Sequence, residues 1–163
     1  CLKHNWKIIP RELSRVTDRV LLMGQVTGDM SLKGVNIYTW ARRKYSELQA
    51  QGYKNIQFKV HPKEDLKNLE GFDLPLYKGT MQDAVLEASS IVTYSSTSGV
   101  DAWLNGVPAS AESPVSMIYR YQNDTTKDAK VRWLNDISFR QLSKEEFRSG
   151  YAWDLYKEQL LKK

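Results

Sequence analysis

The chain has 163 residues, of which 41% are hydrophobic and 26% are charged, with a formal net charge of +5. This composition is ordinary for a globular protein of one domain, and the absence of an apolar run of roughly 20 residues argues against a membrane span. A single cysteine excludes an internal disulfide framework and a metal site built from cysteines.

The modest positive charge favours an anionic ligand, and it also leaves nucleic acid open as a weakly supported partner. The chain begins with Cys1 rather than methionine. We therefore interpret residues 1–18 as a leading segment or linker within a longer protein, and residues 19–163 as one domain. Because no signal-peptide pattern is present, we expect a cytoplasmic location.

Strand-like and helix-like patterns alternate along the first two thirds of the chain. Strands are predicted at 20–24, 56–60, 73–77, 91–94 and 107–111, and helices at 36–50, 80–88 and 99–105. This alternation predicts an α/β fold with a Rossmann-like, doubly wound parallel sheet. The C-terminal part is predicted to end in helices.

The segment 91–108 contains the most informative pattern. An apolar strand is followed by a turn of hydroxyl residues and then by a helix that ends near Gly106. The residues of this turn are Ser95, Ser96, Thr97, Ser98 and Gly99. A helix that begins there directs unpaired N–H groups at the space over the turn, which suits a phosphate. Simple capping of the helix by serine needs no ligand, and this pattern leaves both interpretations open.

His61 follows the strand at 56–60 and precedes Pro62. A residue before proline is held in an extended backbone, which fixes the imidazole at the end of the strand. It is placed either to donate a hydrogen bond to a phosphate or leaving oxygen, or simply to pack at the strand end. Since ligands bind beyond the carboxyl ends of parallel strands, we expect His61 and the hydroxyl turn on the same rim.

Asp101 lies in the first turn of the helix that follows the hydroxyl turn. There it either stabilises the helix through the dipole or accepts hydrogen bonds from a ribose or sugar. The serines lack the G-x-S-x-G pattern of a nucleophile, and the P-loop lysine and dinucleotide fingerprints are absent. Two histidines without clustered carboxylates predict no metal site.

Four segments together resemble the C-terminal, donor-binding half of GT-B glycosyltransferases. They are 58–62 (FKVHP), 76–79 (LYKG), 83–88 (DAVLEA) and 92–108 (VTYSSTSGVDAWLNGVP). The pairing of His-Pro with a double serine is similar to bacterial sialyltransferases, capsule Kdo transferases and teichoic-acid-type polymerases. General features are also similar to uncharacterised glycosyltransferase-like proteins of phages.

The resemblance implies a transferase whose substrate is a CMP-, CDP- or UDP-linked sugar and which needs no further cofactor. It implies that His61 is catalytic and that His61 and the hydroxyl turn hold the donor phosphate. Asp101 stands where many GT-B enzymes carry a glutamate that binds ribose or sugar hydroxyls. Such enzymes have two halves with the active site between them, so the acceptor side is expected in an N-terminal domain outside this chain.

A different class of function stays open beside this one. The chain is alternatively a non-catalytic α/β binding module that holds nucleic acid or a protein through basic and aromatic residues. The residues considered for that surface are Arg42, Arg43, Trp133 and Arg140. An epimerase-like enzyme of the same fold is a third interpretation, although the sequence shows no carboxylate-rich pocket.

Overall fold

The computed structural model of the chain describes residues 16–122, 124–138, 144–151, 153, 154 and 157. The described residues up to Thr126 belong to one compact unit, and those from Lys127 onward belong to a second. The first unit contains the strands and the candidate site. The second contains the helices α4 (Lys127–Ser138) and α5 (Lys144–Arg148), in agreement with the predicted C-terminal helices.

The first unit is built on a four-stranded parallel sheet. Its strands are β1 (Val20–Met23), β2 (Ile56–Lys59), β3 (Ser90–Thr93) and β4 (Ala109–Ala111). The order across the sheet is β2-β1-β3-β4, and every adjacent pair is parallel. The predicted α/β, Rossmann-like fold class is therefore confirmed.

Helices cover both faces of this sheet, which is why all four residues of the central strand β1 are buried. The helices of this unit are α1 (Ile37–Ala50), α2 (Met81–Glu87) and α3 (Ser98–Leu104). On one face Leu22 and Phe58 pack in a cluster with Trp40 of α1. On the other face Gly99 of α3 approaches Thr93, and α2 packs beside α3. The sheet is thus doubly wound.

The ends of α1 are set by local side-chain and backbone chemistry. The Asn36 side chain accepts hydrogen bonds from the N–H groups of Tyr38 and Thr39 at 3.0 and 2.9 Å, which caps the helix start. Gly52, just after the helix end, has a φ of +93°, a conformation that glycine adopts without strain. Local chemistry therefore fixes where this helix begins and ends.

The predicted strand at 73–77 is wrong as a full strand. Only one bridge forms, between Phe58 and Leu76, flanked by hydrogen bonds of 2.8 Å from Phe58 N to Pro75 O and from Tyr77 N to Phe58 O. Pro75 has no N–H with which to extend a ladder. This short segment runs along the outer edge of β2. At the other edge, the Gln122 side chain accepts a hydrogen bond from Ala111 N at 2.8 Å.

Most of the leading segment, residues 1–15, lies outside the described residues, and so does Arg140. Among the helices that the structure describes, none has the length and apolar character needed to cross a bilayer.

Candidate functional site

A cavity of about 200 Å³ lies at the carboxyl edge of the sheet. It is lined by Met23, Gly24, Lys59, Val60, His61, Pro62, Met81, Ser96, Thr97, Ser98 and Asp101. These residues come from the ends of β1 and β2, from the first residue of α2, from the turn after β3 and from α3. The structure thus brings His61 and residues 96–98 of the hydroxyl turn to one cavity, as expected from parallel strands.

The imidazole of His61 is held by the turn that follows β2. Its Nδ1 accepts a hydrogen bond from the Lys63 N–H at 3.1 Å, and its carbonyl accepts one from the Glu64 N–H at 3.0 Å. Pro62 occupies the second position of this turn, where its fixed φ suits the backbone. The half-buried ring therefore has a defined place in the cavity wall.

The hydroxyls of Ser96 and Ser98 lie together in the cavity wall. Ser98 donates to the Ser96 hydroxyl from its backbone N–H at 3.2 Å and from its own hydroxyl at 2.8 Å. Thr97 is the N-cap of α3, but its side chain makes no capping hydrogen bond. The expected unpaired N–H groups are not found here, because Ser98 N donates to the Ser96 hydroxyl, Gly99 N to Ser96 O and Val100 N to Thr97 O. The polar side chains rather than the helix end are therefore the main polar groups of this wall.

Ser95 does not line the cavity. Its backbone N–H and hydroxyl contact the buried side chain of Gln25, and its hydroxyl lies 2.9 Å from that of Ser31. Ser95 thereby joins the turn after β3 to the loop after β1. Its assignment as a direct phosphate ligand stays a prediction, and the structure gives it a different set of partners.

Gly99 also lies behind the lining residues, in contact with the sheet. A Cβ atom at this position would be 2.9 Å from Ile118 Cδ1 and 3.3 Å from Thr93 Cγ2. Glycine therefore allows the first turn of α3 to approach β3 closely. This approach sets the position of the Ser96–Ser98 hydroxyls relative to the sheet.

Asp101 contributes a carboxylate to the wall of the cavity. Its side chain reaches solvent, yet the protein atoms around the carboxyl desolvate it and raise its pKa. A carboxylate accepts hydrogen bonds only, whereas the serine hydroxyls also donate them. The cavity therefore offers both donors and an acceptor to a ligand.

The sequence reasoning missed Lys59, which adds an ammonium group to the cavity. Its Nζ donates to Gly79 O at 2.5 Å and lies 5.5 Å from the centre of the Tyr77 ring. Burial lowers the pKa of this ammonium, while the negative charge of Asp83 acts in the opposite direction. The sequence could have predicted this position of Lys59. Lys59 and His61 are two residues apart, and side chains at that spacing share one side of an extended chain.

Glu64 was also missed, and it connects two of the loops that surround the cavity. Its carboxylate accepts hydrogen bonds from Thr27 N at 2.7 Å, from the Thr27 hydroxyl at 2.8 Å and from Asn68 Nδ2 at 2.6 Å. Burial alone would raise the pKa of Glu64, but these hydrogen bonds outweigh it and the pKa is lowered. Nothing in the local sequence marks Glu64 for this role.

The surface considered for a nucleic-acid-binding module is largely neutralised or covered. Arg42 pairs with Asp73 at 3.0 Å and Arg43 pairs with Glu47 and Glu112. Trp133 is fully buried, so its place on that surface is wrong. The described residues therefore give this interpretation little support.

No protein-family model matches the chain, and no curated protein matches it. One solved structure to which it is similar is Thermosulfurimonas dismutans KpsC, a beta Kdo 2,7 transferase, at 22% sequence identity and a TM-score of 0.44. The similarity covers 57% of this chain and 32% of that chain, so this chain spans well under half the length of that protein.

Proposed function

We propose that this chain is the nucleotide-sugar-binding half of a glycosyltransferase and that the cavity holds the phosphate of the donor. The convergence of His61 with the hydroxyls of Ser96 and Ser98 carries the proposal, because these groups come from distant segments and line one cavity. The Lys59 ammonium adds a positive charge to the same wall. Such a set of hydrogen-bond donors suits an anion. The resemblance of the His-Pro and double-serine motifs suggests that this anion is the phosphate of a nucleotide sugar.

In the proposed reaction an acceptor oxygen forms a bond to the anomeric carbon of the sugar. The bond between that carbon and the phosphate oxygen breaks, and its electron pair stays on the phosphate oxygen. Hydrogen bonds from His61 and the serine hydroxyls, with the charge of Lys59, stabilise the negative charge that develops there. The acceptor loses its proton to a base, which we place in another domain together with the acceptor site.

We assign Asp101 to the hydroxyl groups of the donor, because its carboxylate is an acceptor on the same wall. A ribose or sugar ring offers paired hydroxyls that one carboxylate binds with both oxygens. The proposed substrates are CMP-, CDP- and UDP-linked sugars, as the motif resemblance implies.

The test is a thermal-shift measurement with CMP, CDP, UDP and GDP on the full chain. A ligand at about 100 times its Kd stabilises the folded state by about 2.7 kcal/mol, which raises Tm by roughly 5–10 °C for a protein of this size. We expect such a shift for at least one cytidine or uridine nucleotide, and its loss in His61→Ala and in the double variant Ser96→Ala/Ser98→Ala.

Ser46→Ala is the matched control, because Ser46 is exposed on α1 and does not line the cavity. It should keep the full shift. If no nucleotide changes Tm, or if His61→Ala responds like the wild type, the proposed site is wrong. Salt-sensitive DNA binding without any nucleotide shift would instead favour the binding module.

A further inference from the structure

We infer that His61 acts as a neutral hydrogen-bond donor through Nε2–H and does not transfer a proton to the departing phosphate. The inference rests on the proposed function of the cavity and specifies the chemical form in which its imidazole works. The observation that carries it is the hydrogen bond to the other ring nitrogen.

That hydrogen bond runs from the Lys63 backbone N–H to His61 Nδ1 over 3.1 Å. A backbone N–H can only donate, so Nδ1 must offer its lone pair and carry no proton. The single proton of the neutral ring is then on Nε2. Protonating the ring would place two hydrogens between these nitrogens and cost this bond.

The turn at residues 61–64 stabilises this hydrogen bond. Pro62 restrains the backbone, and the Glu64 N–H closes the turn onto the His61 carbonyl at 3.0 Å. The Glu64 side chain is in turn fixed by Thr27 and Asn68. The Lys63 N–H is therefore kept in place by contacts that no ligand needs to supply.

Charged groups face the imidazole from several elements. Lys59 at the end of β2 lines the same cavity, and Lys63 lies two residues away in the turn. Asp101 of α3 shares its cavity, and Asp29 in the loop after β1 lies within electrostatic reach. These lysines and carboxylates carry opposite charges, so our inference rests on the Lys63 hydrogen bond to Nδ1 and not on the charge around the ring.

A neutral donor is sufficient for this leaving group. A nucleotide phosphate is a stable anion at neutral pH, since its second pKa is about 6. It leaves with the electron pair of the broken bond and needs a hydrogen bond rather than a proton. His61 Nε2–H, the Ser96 hydroxyl and the Lys59 ammonium supply donors to it, while the Ser98 hydroxyl donates to that of Ser96.

The first test compares two amide substitutions of His61. Glutamine places its N–H₂ near the position of Nε2, whereas the shorter asparagine reaches only the position of Nδ1. We expect His61→Gln to bind CMP or UDP within about threefold of the wild type, and His61→Asn and His61→Ala to lose about tenfold or more. If His61→Gln loses as much affinity as His61→Ala, the neutral-donor role is wrong.

The second test observes the tautomer directly in the ligand-free protein. Long-range ¹H–¹⁵N NMR correlations distinguish Nδ1–H from Nε2–H, and His61→Gln identifies which of the two histidines gives each signal. At about pH 8, where an ordinary imidazole is neutral, we expect the Nε2–H pattern for His61. An Nδ1–H pattern would overturn the inference whether or not a nucleotide binds.

A pH series separates hydrogen-bond donation from proton transfer. Between about pH 7 and pH 9 the affinity of the wild type for CMP or UDP should follow the same course as that of His61→Gln. A fall in affinity that occurs only in the wild type would show that the charged ring binds the ligand, against our inference. If the wild type binds none of the nucleotides, the proposed function fails while the NMR result on the ring still stands.

Discussion

The side-chain amide of Gln25 forms hydrogen bonds to Ser95 through both its oxygen and its nitrogen. Its Oε1 accepts from the Ser95 backbone N–H at 2.9 Å, and its Nε2 lies 3.0 Å from the Ser95 hydroxyl. The same Nε2 lies 2.9 Å from the Ser31 hydroxyl. A buried side chain on the loop after β1 thus fixes the start of the hydroxyl turn after β3.

Gln25→Leu should therefore destabilise the protein and weaken nucleotide binding, although Gln25 does not line the cavity. Leucine leaves the Ser95 N–H without its acceptor, which costs about 1–3 kcal/mol of unfolding free energy. Urea unfolding and the nucleotide thermal shift measure the two effects. The exposed Gln49→Leu on α1 is the control and should stay within about 0.5 kcal/mol. Unchanged stability in Gln25→Leu would contradict the structural role of this amide.

Glu64→Gln should reduce stability in a pH-dependent way. The pKa of Glu64 lies below its ordinary value of 4.5 in the folded protein, so its ionised form stabilises the fold. That contribution is fully present above about pH 4.5 and is lost as the pH falls through the folded-state pKa. We expect Glu64→Gln to cost about 1–3 kcal/mol at neutral pH, with the difference from wild type shrinking in acid.

Chemical denaturation at several pH values measures this difference. Exposed Glu70→Gln, on the same loop, is the matched control and should change the unfolding free energy by no more than about 0.5 kcal/mol. A difference between wild type and Glu64→Gln that persists undiminished in strong acid would be inconsistent with an ionised, hydrogen-bonded carboxylate.

Gly99→Ala should destabilise the protein by about 1–3 kcal/mol, because the new methyl group would overlap Ile118 Cδ1. Ile118→Val removes that methyl carbon and makes room for the alanine. The double variant Gly99→Ala/Ile118→Val should be more stable than the sum of the single changes predicts. Strict additivity in a double-mutant cycle would show that the close approach of α3 to this side chain does not limit the fold.

Thr93→Val should stabilise the protein. Thr93 is fully buried on β3, and its hydroxyl has no hydrogen-bond partner among the described residues. Valine keeps the shape and removes the unsatisfied group, which should raise the unfolding free energy by about 1 kcal/mol. Thr93→Ala, which also removes a packed methyl group, should lower it. If valine destabilises the protein, the hydroxyl has a partner in solution, such as a bound water.

The parts of the fold that local chemistry dictates could be predicted from the sequence. The apolar run of β1, the helix predicted at 36–50 and the strand before the hydroxyl turn all carry their signals within a short stretch of sequence. The shared cavity of His61 and Ser96 also followed, because parallel strands present their carboxyl ends at one edge. For these residues the sequence pattern and the tertiary structure agree.

The remaining features depend on contacts between segments that are distant along the chain. The strand expected at 73–77 forms only a single bridge, to Phe58. Because Phe58 is distant along the chain, the sequence near Pro75 does not predict this pairing. The lining by Met23 and Lys59 depends on the register that pairs β1 with β2. The bonds from Gln25 to Ser95 and from Glu64 to Thr27 join loops whose proximity appears only once the sheet is assembled.

The outer strands of the sheet have a consequence for behaviour at high concentration. Residues 75–77 occupy hydrogen-bonding groups along the free side of β2, and Gln122 occupies one on the free side of β4. An edge strand with unpaired N–H and C=O groups is a template to which another molecule can add its own strand. Intramolecular occupation of these groups disfavours such addition, so we expect the chain to resist amyloid-like self-association while its first unit stays folded.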